Sequence, residues 1–109
     1  MYATKKSNKV NPYLVKEIME ANPKQLLFKV YDFAIINCQK RNMVKANEAV
    51  QILISALRFD GEKDKEIAIG LFRLYQYCQE EMRKGNFEIA SRFLTELREQ
   101  WQKALNEQG

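Results

Sequence analysis

Asn22-Pro23-Lys24-Gln25-Leu26-Leu27-Phe28-Lys29-Val30-Tyr31-Asp32-Phe33-Ala34-Ile35-Ile36-Asn37-Cys38 is the stretch that decides the fold. Asn at an N-cap accepts a bond from a free first-turn amide, and Pro at the next position gives up only a donor without a partner. The pair opens a helix that runs through about Lys40. Leu27, Val30, Tyr31, Ala34, Ile35 and Cys38 recur there at three- and four-residue steps, which makes one apolar face. Such a face must be buried against other elements.

Downstream, a polar break at Lys40-Arg41-Asn42 separates a second helix, about 43–58. Its Met43, Ala46, Val50, Leu53 and Leu57 follow the 3-4-3-4 spacing of bundles. Asp60-Gly61-Glu62-Lys63-Asp64 reads as a loop. A third helix, about 64–84, carries Ile67, Leu71, Leu74, Tyr75, Cys78 and Met82, and Gly85-Asn86 stops it as a C′ glycine does. The fourth, about 86–105, carries Phe87, Ala90, Leu94, Leu97, Trp101 and Leu105. Upstream, residues 1–12 form a flexible basic arm, and Tyr13, Leu14, Ile18 and Met19 space a short amphipathic segment. No alternating run calls for a sheet, and no convincing internal repeat is read. The expected fold is all-α: an antiparallel four-helix bundle over residues 13–109, with that short segment at its start.

Composition narrows the function. The 109 residues are 46% apolar, enough for one core, and four Gly with two Pro are too few for a turn-rich β chain. There is no histidine, which removes imidazole acid/base chemistry, Ser-His and Cys-His pairs, and imidazole metal sites. No carboxylate pair stands out for hydrolysis and no Gly-rich loop for phosphate. The chain is read as not an enzyme, with no catalytic residue, metal site or cofactor. Cys38 and Cys78 are too far apart for a CxxC motif and fall on apolar faces, as small buried thiols of a reducing cytosol. The basic start Met1–Lys9 is not followed by an apolar run, and Ala49–Leu57 is too short to span a bilayer. The expected location is cytoplasmic, without membrane insertion.

Several helices carry apolar residues beyond their core stripe. Leu26, Phe33 and Ile36 lie roughly opposite Tyr31, and Ile52 and Ile54 flank Leu53 by about 100° on either side. The third helix adds Ile69, Phe72 and Tyr77 off its main face. Two readings stand side by side. Either these residues form a partner or self-association surface that takes an amphipathic segment along neighbouring helices, or the segment around Tyr13 folds back and makes them ordinary core.

Five motifs, in order, resemble a known family. Glu20-Ala21-Asn22-Pro23-Lys24-Gln25-Leu26-Leu27 with Val30-Tyr31-Asp32-Phe33-Ala34-Ile35 is similar to its TASPxxL…LYDGAI signature. Lys45-Ala46 is similar to its KAQ segment, and Lys65-Glu66-Ile67-Ala68 with Leu74-Tyr75-Gln76-Tyr77 to GEIA…LYxY. Leu97-Arg98-Glu99-Gln100-Trp101 is similar to the closing LRxxW. The set spans about Tyr13 to Leu105 and resembles the flagellar secretion chaperone family FliS. Phe33 stands where that family has Gly, and the segment from Tyr31 to Lys45 is several turns shorter.

The resemblance implies a helical bundle that binds the amphipathic C-terminal region of flagellin and prevents its polymerisation before export. It also implies a handover to the flagellar export gate, and for Tyr13 a role as movable cap near the partner surface. The expected partner-binding residues are Tyr13, Leu26, Phe33, Ile36, Ile52, Ile54, Ile69 and Tyr77. Tyr31, Tyr75 and Trp101 are read as core, Asp32 as a solvated or paired carboxylate, and Glu80-Glu81 as a solvated face. The formal charge is +4, from 18 basic and 14 acidic residues, and residues 1–29 carry all of it as six Lys against two Glu. Lys5, Lys6, Lys9 and Lys16 would suit an alternative, a small helical nucleic-acid-binding protein. That arm lacks arginine, no helix has a polar reading face, and nucleic acid is not the expected partner. A structural homodimer burying Leu26, Phe33, Ile36, Ile52 and Ile54 against its own copy is a further alternative, so the chain is a monomer or a homodimer.

Overall fold

Pro23 opens the first helix of the computed structural model, where the Asn-Pro pair places it. The structure describes residues 23–58 and 62–108, so Asn22, the N-terminal arm and Tyr13 lie outside the described residues. Four helices follow one another: α1 (Pro23–Gln39), α2 (Met43–Ser55), α3 (Glu62–Arg83) and α4 (Phe87–Gln108). No strand occurs among the described residues. α1 packs on α2 and α4, and α3 packs on the same two. Connections of three residues, 40–42 and 84–86, fold α1 back on α2 and α3 back on α4. The result is an all-α four-helix bundle.

The core holds what the stripes announce. Val30, Tyr31, Ala34, Cys38, Ala46, Val50, Leu53, Tyr75, Cys78, Met82, Phe87, Ala90 and Leu94 are buried. Ile67 is the exception, at 60% exposure. Its position on the stripe fixes its direction, but α2 ends at Ser55 and α3 begins at Glu62, earlier in each case than the sequence reading places them. Among the described residues, α2 therefore stops short of Ile67.

Both short connections are Schellman turns, in which a residue of left-handed φ lets two amides bond back to the last helical carbonyls. In the first, Arg41 N–H donates to Cys38 O (2.9 Å) and Asn42 N–H to Asn37 O (2.8 Å). In the second, Gly85 N–H donates to Met82 O (2.9 Å) and Asn86 N–H to Glu81 O (2.8 Å). The two sets are 44 residues apart, and Arg41 (φ 59°) occupies the position of Gly85 (φ 85°). The same separation links Tyr31 to Tyr75, Cys38 to Met82, and Arg41 to the Gly85 carbonyl across the bundle. α1 and α3 thus run parallel in fixed register.

That register exposes an internal repeat, contrary to the sequence reading. Leu27-Phe28-Lys29-Val30-Tyr31 stands over Leu71-Phe72-Arg73-Leu74-Tyr75, Asn42 over Asn86, Ala46 over Ala90, and Leu53 over Leu97. The chain is two copies of one helical hairpin.

Candidate functional site

Among the described residues, a cavity lies where α2 ends and α3 begins. Leu53 from the end of α2, Leu57 two residues beyond that helix, Ile67 and Leu71 from the start of α3, and Trp101 from α4 surround an apolar cavity of about 270 Å³. Leu27, in the second turn of α1, completes its wall, and Arg58 and Asp64 mark its rim. Such a volume sits near the lower end for binding pockets and admits a large apolar side chain rather than a cofactor. The sequence places Leu53, Leu57, Ile67, Leu71 and Trp101 on core stripes without showing that they fail to close on one another.

A polar relay lies behind this cavity. Tyr31 and Tyr75 share a hydrogen bond of 2.6 Å, and Trp101 Nε1 donates to the Tyr31 hydroxyl at 3.1 Å. Both tyrosines are buried, and burial is the largest cause that pushes their hydroxyls up from the usual range. They stay protonated, as a satisfied packing contact does. Next to them Cys38 Sγ donates to Met82 Sδ at 3.5 Å. Burial pushes the Cys38 thiol up to about 11 and the Cys78 thiol up to about 12. Thiols held protonated in this way are poor nucleophiles. Both cysteines are free and buried, as small core residues.

The outer faces carry the remaining candidates. On α1, Leu26 and Phe33 are half-buried against the core, and Ile36 is 47% exposed. Ile52 of α2 is half-buried against the core as well. Ile54 lies on the other flank of α2, the one marked by the bond from Gln79 Nε2 to Gln51 Oε1, and faces α3. Ile69 is half-buried on α3. Tyr77 is 42% exposed and stacks edge-on against Phe93 of α4, with ring centroids 5.0 Å apart. The expected partner-binding residues thus do not share one face: Ile52 and Ile54 lie on opposite flanks of α2, and Ile69 and Tyr77 belong to α3. Tyr13 lies outside the described residues.

Charged side chains stitch the surface. Asp32 is a paired carboxylate: Arg98 Nε donates to it at 2.6 Å, while the same guanidinium lies over the Phe28 ring. Glu80 pairs with Arg83 at 2.7 Å, and that bond holds its carboxyl below the usual range. Glu81 differs from the expected solvated face. It is buried, accepts from Asn86 Nδ2 at 3.0 Å, and fixes the second turn. Among the described residues no cluster of His, Cys, Asp or Glu is able to hold a metal ion. No helix among them is long and apolar enough to cross a membrane.

Comparison with family models, with curated proteins and with solved structures returns no match to this chain.

Proposed function

We propose that this protein is a chaperone that holds an amphipathic helical segment along the α1–α2 groove, and that the segment is the C-terminal region of flagellin awaiting export. The observation that carries the first half is the set Leu26, Phe33, Ile36 and Ile52. Ile36 is 47% exposed, and Leu26, Phe33 and Ile52 stay only partly buried where they pack against the edge of the core. A helix laid along this groove buries its stripe on theirs, the mode by which amphipathic segments dock into helical surfaces. Such a segment loses several kcal/mol in ordering, on the order of 2–5, so it needs continuous apolar contact of this kind. Burial is the whole of the task, and no bond is made or broken.

The second half rests on the five ordered motifs. A flagellin terminus left free offers its stripe to its neighbours, and covering that stripe prevents premature polymerisation. On the same resemblance, Tyr13 caps the binding surface and yields to cargo, and the export gate receives the loaded complex.

The test is calorimetric titration of the full chain with a C-terminal flagellin segment. Saturable binding that Ile52→Glu weakens, with helicity unchanged, supports the proposal. Absence of binding, or binding indifferent to Ile52→Glu, overturns it. For the cap, removing residues 1–20 is expected to speed association, and unchanged kinetics would remove Tyr13 from the account.

A further inference from the structure

The sequence holds two cysteines and four methionines. Both cysteines and one methionine gather in the core between α1 and α3, none of the three more than 1% exposed. Cys38 Sγ on α1 lies 3.5 Å from Met82 Sδ on α3. Cys78 stands one helical turn before Met82, and side chains four residues apart on a helix meet on one face. Cys38 is near enough to Cys78 to add to the rise of its thiol.

The internal repeat shows that packing alone does not require this third sulfur. Cys38 and Met82 hold equivalent places in the two hairpins, and the place equivalent to Cys78 is filled by Ala34, buried in the same core. A methyl group suffices in the first hairpin where the second sets a thiol beside Met82.

Soft sulfur donors select soft metals, and the donor set separates the candidates. Zn(II) takes four ligands from Cys, His, Asp and Glu, and among the described residues no third member of that group joins the two cysteines. Cu(I) accepts a thioether as a ligand, and Met82 then completes the set. Metal–sulfur bonds of about 2.3 Å place three sulfurs in a plane about 4 Å apart, so the Cys38–Met82 pair has to open by only about half an ångström. Cys38 also belongs to the wall of a surface groove of about 580 Å³ between the end of α1 and the start of α4, beside Phe87 and Ser91. An ion reaches its sulfur from there without crossing the bundle.

We infer that Cys38, Cys78 and Met82 form a binding site for one Cu(I) ion, which ties α1 to α3 across the bundle. Each thiol gives its proton to water as its sulfur takes the ion, and the thioether binds through a lone pair with nothing released. No electron is transferred. The site is independent of the helix-holding reading, and either stands without the other.

The test is anaerobic titration of the reduced full chain with Cu(I), in competition with a chromophoric Cu(I) chelator, followed by circular dichroism and sedimentation. One ion bound per monomer is expected, with helicity kept and no displacement by Zn(II). Met82→Leu conserves the volume of the core and should weaken binding about tenfold or more, at least what a metal site loses with an outer-shell partner. Cys78→Ala should fold, since Ala34 already serves at the equivalent place, and should abolish stoichiometric binding. An affinity unchanged by Met82→Leu overturns the inference, because two cysteines then act without the thioether. The absence of binding, an ion that bridges two chains into a dimer, and binding that destroys helicity each overturn it as well. Should Met82→Leu itself lose helicity, loss or retention of the ion in Cys78→Ala decides.

Discussion

Arg41 shows at the residue scale how one side chain joins the two hairpins. A non-glycine residue with left-handed φ costs roughly 1 kcal/mol, and the equivalent turn uses Gly85 instead. Arg41 offsets that cost by donating from Nη2 to the Gly85 carbonyl at 3.2 Å and by lying 5.2 Å over the Phe87 ring. Arg41→Gly loses the tie and relieves the strain, so its stability in urea should stay close to that of the parent. Arg41→Ala loses the tie and keeps the strain, and should fall about 1–2 kcal/mol lower. Equal stability of the two variants would contradict this balance. Tyr31 is the second such residue, since its hydroxyl meets both Tyr75 and Trp101. Tyr31→Phe leaves two buried polar groups short of a partner and should cost about 1–3 kcal/mol, read as a shift of the urea midpoint. A midpoint unchanged by Tyr31→Phe would mean that water replaces the bond.

At the scale of helices, the α1–α2 hairpin differs from its copy in what it shows to solvent. Ile52 and Ile54 separate here: Ile54 lies on the flank of α2 toward α3, at the position that Arg98 holds in the second hairpin, and Ile52 lies on the opposite flank. Ile52→Glu is expected to weaken helix binding at least tenfold while melting where the parent melts, and Ile54→Glu to lower the melting temperature instead. Reversed phenotypes, measured by peptide titration and thermal denaturation, would exchange the two residues in the account. Much of this architecture is legible in the residues themselves. Asn22-Pro23 marks where α1 begins, Gly85-Asn86 marks where α3 stops, and the three- and four-residue steps give the buried faces of all four helices. The register between helices is not legible, because periodicity fixes the direction of a side chain and not what lies opposite. For that reason Ile67 reads as core and lies exposed, and the cavity beside it goes unseen. The repeat is hidden for a related reason. Identities such as Tyr31 with Tyr75 are sparse, and only the paired turns align them. The groove is half legible: the off-stripe positions of Leu26, Phe33, Ile36 and Ile52 are in the sequence, but which flank of α2 turns toward α3 needs the packing.

For the whole molecule, the buried thiols and phenols set an alkaline limit on stability. Cys38 and Cys78 ordinarily titrate near 9 and are pushed up to about 11 and about 12 in the fold. Below pH 9 both states hold these protons, and the stabilisation is complete. As pH rises past 9 the unfolded chain releases them while the folded chain keeps them, so stability falls, by about 1.4 kcal/mol per pH unit for each group. Tyr31 and Tyr75, raised from 10, steepen the decline from there. Urea midpoints should hold level from pH 7 to pH 9 and then drop. The variant Cys38→Ala with Cys78→Ala should drop less steeply, and an equal slope would contradict the assignment. Within the bundle, an apolar and basic hairpin stands beside a nearly neutral copy of itself. The groove between α1 and α2 is the centre of this account. Its most direct test is a nuclear magnetic resonance titration of the labelled full chain with a C-terminal flagellin segment. The expected result is saturable shifts centred on Leu26, Phe33, Ile36 and Ile52, with α3 and α4 little affected. Shifts centred on the second hairpin, or none at saturating peptide, would contradict it.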